Sequence, residues 1–223
     1  MEHRVRVKIC GVTNLEDAQL AVELGAWAVG MIFHGSSPRS CSQEHAAAIA
    51  GALRRRVKLC GVYVNAALET IESDADRLGL ALVQLHGDEG PSFCTEVARR
   101  TGARVIKAAQ VSDAGDVRAI ERFHTDFHML DARPRRAEHA GLRGGTGETF
   151  DWSLVAARRS KVPLILSGGL HAGNVGDAIA ATRPYAIDTA SGTESAPGHK
   201  DPERMRALFA AVHDANESAR EIG

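Results

Sequence analysis

VKLCGVYVNAALETIESDADRLGLALVQLH, residues 57–86, reads as strand, helix, strand. Residues 57–64 and 82–86 are largely continuous apolar runs, as in strands covered on both faces. Between them Leu68, Ile71, Ala75 and Leu78 repeat at helical spacing. Two buried strands joined by an amphipathic helix form the unit of a parallel sheet. The pattern continues in both directions. Further strands are expected at 5–10, 27–33, 104–109, 127–131, 163–167 and 186–190. Thr13 and Glu16 have capping-box spacing ahead of a helix bearing Leu15, Ala18 and Val22. Phe93 and Val97 mark the fourth helix. Asp151 is the expected N-cap of a helix with Leu154 and Ala157, and Met205, Leu208, Phe209 and Val212 mark the last. Eight such units without a Gly/Ser-rich linker predict a single (β/α)8 barrel over residues 1–223. A doubly wound open sheet is the alternative, but it usually needs fewer units.

The composition agrees with this reading. The chain has 223 residues, 44% hydrophobic and 25% charged, which excludes a mainly disordered protein. Lys+Arg is 27 and Asp+Glu is 28, a balance that argues against wholesale binding to nucleic acid or a membrane surface. The longest strongly apolar stretch, residues 26–33, is far short of the roughly 20 residues of a membrane span. No long apolar segment precedes Lys8, so no secretory signal is expected. Cys10, Cys41, Cys60 and Cys94 include no C-x-x-C pair, and their spacing suits neither a zinc site nor a disulfide framework. A reducing cytoplasm is the expected compartment.

A barrel of this kind carries its chemistry at the C-terminal ends of its strands. The first strand ends Lys8-Ile9-Cys10-Gly11, and alternation puts Lys8 and Cys10 on one side. A nearby ammonium would favour the thiolate that a general base requires, whereas a buried structural cysteine is the plainer reading. Asp131 ends the sixth strand, three steps from the first around the ring, and is a candidate general acid or a loop-binding carboxylate. Arg39, after the second strand, has the fork that matches a carboxylate, although loop arginines are often merely exposed. Gln84 and His86 end the fourth strand, with His86 either orienting neighbours or acting as a base. Asp188 in the eighth strand either pairs with Lys8 or contacts substrate. Gly144-Gly145-Thr146-Gly147, Ser167-Gly168-Gly169 and Ala190-Ser191-Gly192 bring glycines to strand ends. One glycine pair is an ordinary turn signal, but pairs after strands seven and eight point to a phosphate. The segment 133–143 holds four arginines and one acid, read either as a solvated loop or as a positive rim that steers an anion.

Together these segments resemble a known family. Val7–Gly11, Ser37-Pro38-Arg39, Gly61–Asn65, Val83–Gly87, Gly144–Gly147 with Phe150-Asp151-Trp152, Ser167–Leu170 with Asn174-Val175, and Ile187-Asp188 through Ser191-Gly192 with Pro197-Gly198 and Lys200-Asp201 resemble phosphoribosylanthranilate isomerase, in order and over nearly the whole chain. Gly35-Ser36 stands where that family often has Pro-Lys. The resemblance implies a (β/α)8 barrel acting in tryptophan biosynthesis, as a monomer or homodimer. The reaction is an Amadori rearrangement of N-(5-phosphoribosyl)anthranilate that needs no metal or nicotinamide. It also implies that Cys10 is the base, Asp131 the acid, and Arg39 the holder of the anthranilate carboxylate. A paralogue using a modified arylamine is the nearest alternative. The histidine-pathway isomerase fits less well, because Cys10 stands where it would have an aspartate and acids follow strand four.

Overall fold

The computed structural model describes residues 4–132 and 149–221. Its eight parallel strands are Arg6–Cys10 (β1), Ala28–Ile32 (β2), Lys58–Tyr63 (β3), Leu82–Leu85 (β4), Arg104–Val111 (β5), Phe127–Ala132 (β6), Leu164–Leu166 (β7) and Ala186–Thr189 (β8). They close in sequence order into a barrel, with β1 pairing with both β2 and β8. Every expected strand is present. The ends shift by one or two residues, and β7 keeps only its apolar centre.

The helices are Leu15–Glu23 (α1), Gln43–Leu53 (α2), Leu68–Leu78 (α3), Pro91–Thr101 (α4), Ala114–Ala119 (α5), Val175–Thr182 (α6) and Pro202–Glu221 (α7). In α3 the expected stripe buries Ile71, Ala75 and Leu78 against the barrel. The helix stops at Gly79, whose φ of +63° suits a residue without Cβ. Two local expectations need correction. The N-cap of α1 is Asn14, whose Oδ1 accepts from the Asp17 N–H at 2.9 Å, and no Thr13–Glu16 capping box forms. The Thr13 hydroxyl instead donates to the Gly198 carbonyl at 2.6 Å. Asp151 does cap a helix, accepting from the Ser153 N–H, but Trp152–Ala157 is a 3-10 helix.

Two layers of apolar packing hold the barrel. The outer one lies between strands and helices, and includes Ile9, Val29, Leu59, Val83 and Leu166 with Ile49, Ile71 and Leu208. The inner one fills the barrel with Cys60, Leu82, Ile106, Met129 and Ile165 among others. At the N-terminal end Trp27, Phe127 and Tyr185 form a floor, with ring centroids 5.2–5.6 Å apart. Aromatic rings in such contact add to simple burial. The opposite end carries the polar residues. Among the described residues, no helix is long and apolar enough to cross a membrane.

After β8 the chain makes a short hairpin, β9 (Glu194–Ala196) and β10 (His199–Lys200), before α7.

Candidate active site

The C-terminal strand ends surround one cavity. Cys10, Arg39, Gln84, His86 and Asp131 line it, together with Gly168, Gly169, Asp188 and Ser191. Nine of the eleven residues expected from the sequence therefore meet in one place. Gly192 does not line the cavity. Its missing Cβ is required elsewhere, since that atom would lie 1.9 Å from the Leu170 carbonyl oxygen. Gly145 and the arginine-rich segment lie outside the described residues.

Alternation along β1 carries both Cys10 and Lys8 inward, as expected. Lys8 is wholly buried, and its Nζ donates to Asp188 Oδ1 at 2.5 Å. Ser167 Oγ donates to Asp188 Oδ2 at 3.1 Å. Burial, the largest single influence, would depress the Lys8 ammonium, but Asp188 together with Cys10 and Cys60 outweighs it and holds Lys8 above the ordinary lysine range. Lys8 favours the Cys10 thiolate, as expected, but it is not the largest influence. Burial pushes the Cys10 thiol up; Lys8 and Lys200 oppose this, while Asp188 reinforces it. Lys8 is already balanced by Asp188, so its pull on the thiol does not overcome desolvation.

On the neighbouring strand, Gly30 of β2 lies in register with Cys10. A Cβ there would lie 3.0 Å from Cys10 Sγ and 3.1 Å from Lys8 Nζ. Glycine therefore leaves room for the thiol. Gly30→Ala should fold, displace the thiol by tenths of an ångström and lower kcat roughly 10-fold, given how steeply rate depends on placement. Unchanged kcat in a steady-state assay would show that the thiol position is not critical.

Asp131 is the penultimate residue of β6, and its Oδ1 accepts from the Ala132 N–H at 3.0 Å. Its Oδ2 lies 3.3 Å from His86 Nε2. The two groups approach without the alignment of a hydrogen bond, and Nε2 has no hydrogen-bond partner among the described residues. Gln84 Nε2 lies 2.9 Å from His86 Nδ1. With the Gln84 amide nitrogen toward the ring, Nδ1 accepts, and in that tautomer the imidazole proton sits on Nε2, facing Asp131.

Arg39 is nearly buried, not an exposed loop arginine. Its Nε meets both Glu194 oxygens at 2.9 Å, and its Nη2 lies 2.8 Å from Oε2.

The β7 and β8 ends have the backbone shape expected of an anion cradle. Gly168 and Gly169 have φ of +93° and +58°, and a Cβ on Gly168 would lie 2.6 Å from the Ala132 nitrogen. The N–H groups of Gly168, Gly169, Ser191 and Gly192 find no acceptor among the described residues.

Residues 7–211 match the protein family described as N-(5'phosphoribosyl)anthranilate isomerase. The chain belongs to that family. The N-(5'-phosphoribosyl)anthranilate isomerase of Geobacter sulfurreducens is 46% identical over 205 residues, covering 92% of this chain and 97% of its own. The crystal structure of the Thermus thermophilus phosphoribosyl anthranilate isomerase is similar with a TM-score of 0.84 at 34% identity, covering 94% of this chain and 99% of that one. A third relative, the isomerase in complex with reduced 1-(o-carboxyphenylamino)-1-deoxyribulose 5-phosphate, has a TM-score of 0.78 at 38% identity, covering 94% of this chain and 99% of that one. As a phosphoribosylanthranilate isomerase family member, the chain is an aldose–ketose isomerase of tryptophan biosynthesis built on a (β/α)8 barrel.

For this isomerase barrel, sequence reasoning missed Glu194. A lone acid beyond the last strand carries no spacing signal. Thr189 and Ser167 also line the cavity, and both immediately neighbour a residue that was singled out.

Proposed function

We propose that Cys10 is the general base and Asp131 the general acid of the phosphoribosylanthranilate isomerisation in this chain. The observation that carries the proposal is their meeting in one cavity from β1 and β6, with an arginine and free backbone amides around them. Asp131 protonates the furanose ring oxygen; the C1–O bond breaks as the nitrogen lone pair forms a Schiff base. Cys10, as thiolate, then takes the C2 proton, and the freed electron pair makes an enolamine. The enolamine gains a proton at C1 and loses one from the C2 hydroxyl, giving the ketone. C1 is reduced and C2 oxidised within one molecule, so no external oxidant is needed. Acid and base act at different atoms, which is why they stand on different strands.

In this reading Arg39 holds the anthranilate carboxylate, and the amides of Gly168, Gly169, Ser191 and Gly192 hold the phosphate. Gln84 and His86 orient Asp131, and Asp188 anchors Lys8 beneath the base. The whole chain acts as one catalytic barrel, as a monomer or homodimer in the cytoplasm. Four unpaired thiols suit a reducing compartment.

The decisive assay follows the fluorescence of phosphoribosylanthranilate made in situ. Its loss on adding the protein is the expected result, and no turnover at any concentration would sink the reading. Inorganic phosphate and sulfate should inhibit competitively. In sulfate-soaked crystals the ion should lie within hydrogen-bond reach of the β7 and β8 amides; an ion bound only elsewhere would reject this phosphate site.

A further inference from the structure

The hairpin after β8 carries a buried charge cluster that the chemistry above leaves unused. Besides Arg39, Glu194 Oε1 accepts from Lys200 Nζ at 3.1 Å and from the Gly198 N–H at 3.4 Å. Lys200 Nζ also donates to the Cys10 carbonyl at 2.7 Å and the Ala190 carbonyl at 3.0 Å. Three acceptors match the three N–H groups of an ammonium, whereas a neutral amine has two. The Lys200 and Glu194 side chains are only 0% and 4% exposed. Two cations, Arg39 and Lys200, therefore share one carboxylate. Burial pulls the Lys200 ammonium down, Glu194 and Cys10 oppose the fall, and Arg39 adds to it, so a second negative group beside the two cations would be favoured. The natural complement of the cluster is an anion from the cavity. Arg39 lines that cavity, and Glu194 engages its Nε and Nη2, which leaves Nη1 outside the pair.

We infer that Glu194 and Lys200 are positioning residues for substrate selection: Glu194 fixes the Arg39 guanidinium for the substrate carboxylate, and Lys200 ties this subsite to the strand end that bears Cys10. The inference rests on the reading of Arg39 as the carboxylate holder. Its physical basis is pre-organisation. A free arginine loses much rotamer freedom when it grips a ligand, and a guanidinium already clamped on a buried carboxylate loses little. Lys200 makes the clamp part of the site. Its ammonium joins the carbonyl of the base residue, the carbonyl that precedes the β8 amide segment, and the carboxylate that holds Arg39.

The test compares two substrates, phosphoribosylanthranilate and phosphoribosylaniline, which lacks the carboxylate. Glu194→Gln keeps the shape and removes the charge. It should raise KM for the anthranilate substrate roughly 10- to 100-fold, the scale of a misplaced positioning group. KM for the aniline substrate should stay within about twofold, and Glu194→Asp should recover part of the loss. Equal losses on both substrates would show that the hairpin only supports the barrel, and a lower KM would show that Glu194 competes for the guanidinium; either overturns the inference. Arg39→Gln separates the underlying reading. Selective loss in Arg39→Gln without any in Glu194→Gln rejects positioning alone, whereas no selective loss in Arg39→Gln rejects the carboxylate role. Should Glu194→Gln fail to fold, Lys200→Gln is read by the same ratio, and an unchanged ratio there overturns the inference equally.

Discussion

Cys10→Ser should lower kcat about 10²- to 10⁴-fold, the usual contribution of a general base, while leaving product binding near normal. The substitution keeps the shape of the side chain but replaces a thiol with a hydroxyl that does not ionise in the working range. Titration of product by intrinsic fluorescence separates the two effects. A kcat within a fewfold of the parent would remove Cys10 from the mechanism. The same residue sets a pH dependence. Only the thiolate accepts a proton, and burial pushes the thiol up against the pull of Lys8 and Lys200. In the free enzyme the base form therefore accumulates as pH rises, so kcat/KM should climb through the alkaline range, with its midpoint above that of an ordinary thiol. Asp188 contributes to the rise of the Cys10 thiol and balances Lys8 at 2.5 Å. Asp188→Asn should thus move the midpoint to lower pH, whatever it does to the maximal rate. A midpoint that stayed in place, or moved up, would exclude this electrostatic account.

The barrel was legible because its strands are buried on both faces. Residues 57–86 show the unit complete, and the β3–α3–β4 boundaries differ from the expected ones by one residue at most strand ends. Most site residues were legible for a related reason: in this fold a strand end is a place, so Cys10, Gln84, His86, Asp131 and Asp188 could be located from their position in a run. What escaped was set by contacts between distant segments. Thr13 and Asn14 are both good caps, and the choice between them depends on Gly198, 185 residues later, which takes the Thr13 hydroxyl. Arg39 and Glu194 are 155 residues apart, and nothing local to either announces the pair. At Cys10 the proximity of Lys8 was visible in the alternation, whereas the depth of burial and the Asp188 carboxylate that balances Lys8 were not.

Asp131→Asn should also cost about 10²- to 10⁴-fold in kcat, for the loss of an acid rather than a base. An amide cannot protonate the ring oxygen, so the sugar stays closed and the Schiff base does not form. The replacement should fold. The Asn oxygen can still accept from the Ala132 N–H, as Asp131 Oδ1 does at 3.0 Å. The new amide N–H would face His86 Nε2, which carries a proton in the parent arrangement, and two donors repel. Relief is at hand in Gln84, whose Oε1 is buried without a partner among the described residues. If the Gln84 amide turns over, Oε1 accepts from Nδ1–H and the imidazole proton moves off Nε2, which can then accept from the Asn amide. The variant is therefore expected to keep its melting temperature within a few degrees and to bind product near normally. A folded Asp131→Asn variant with near-normal kcat would assign ring opening to another group, and His86, with its Nε2 3.3 Å from the carboxylate, would be the first to substitute next.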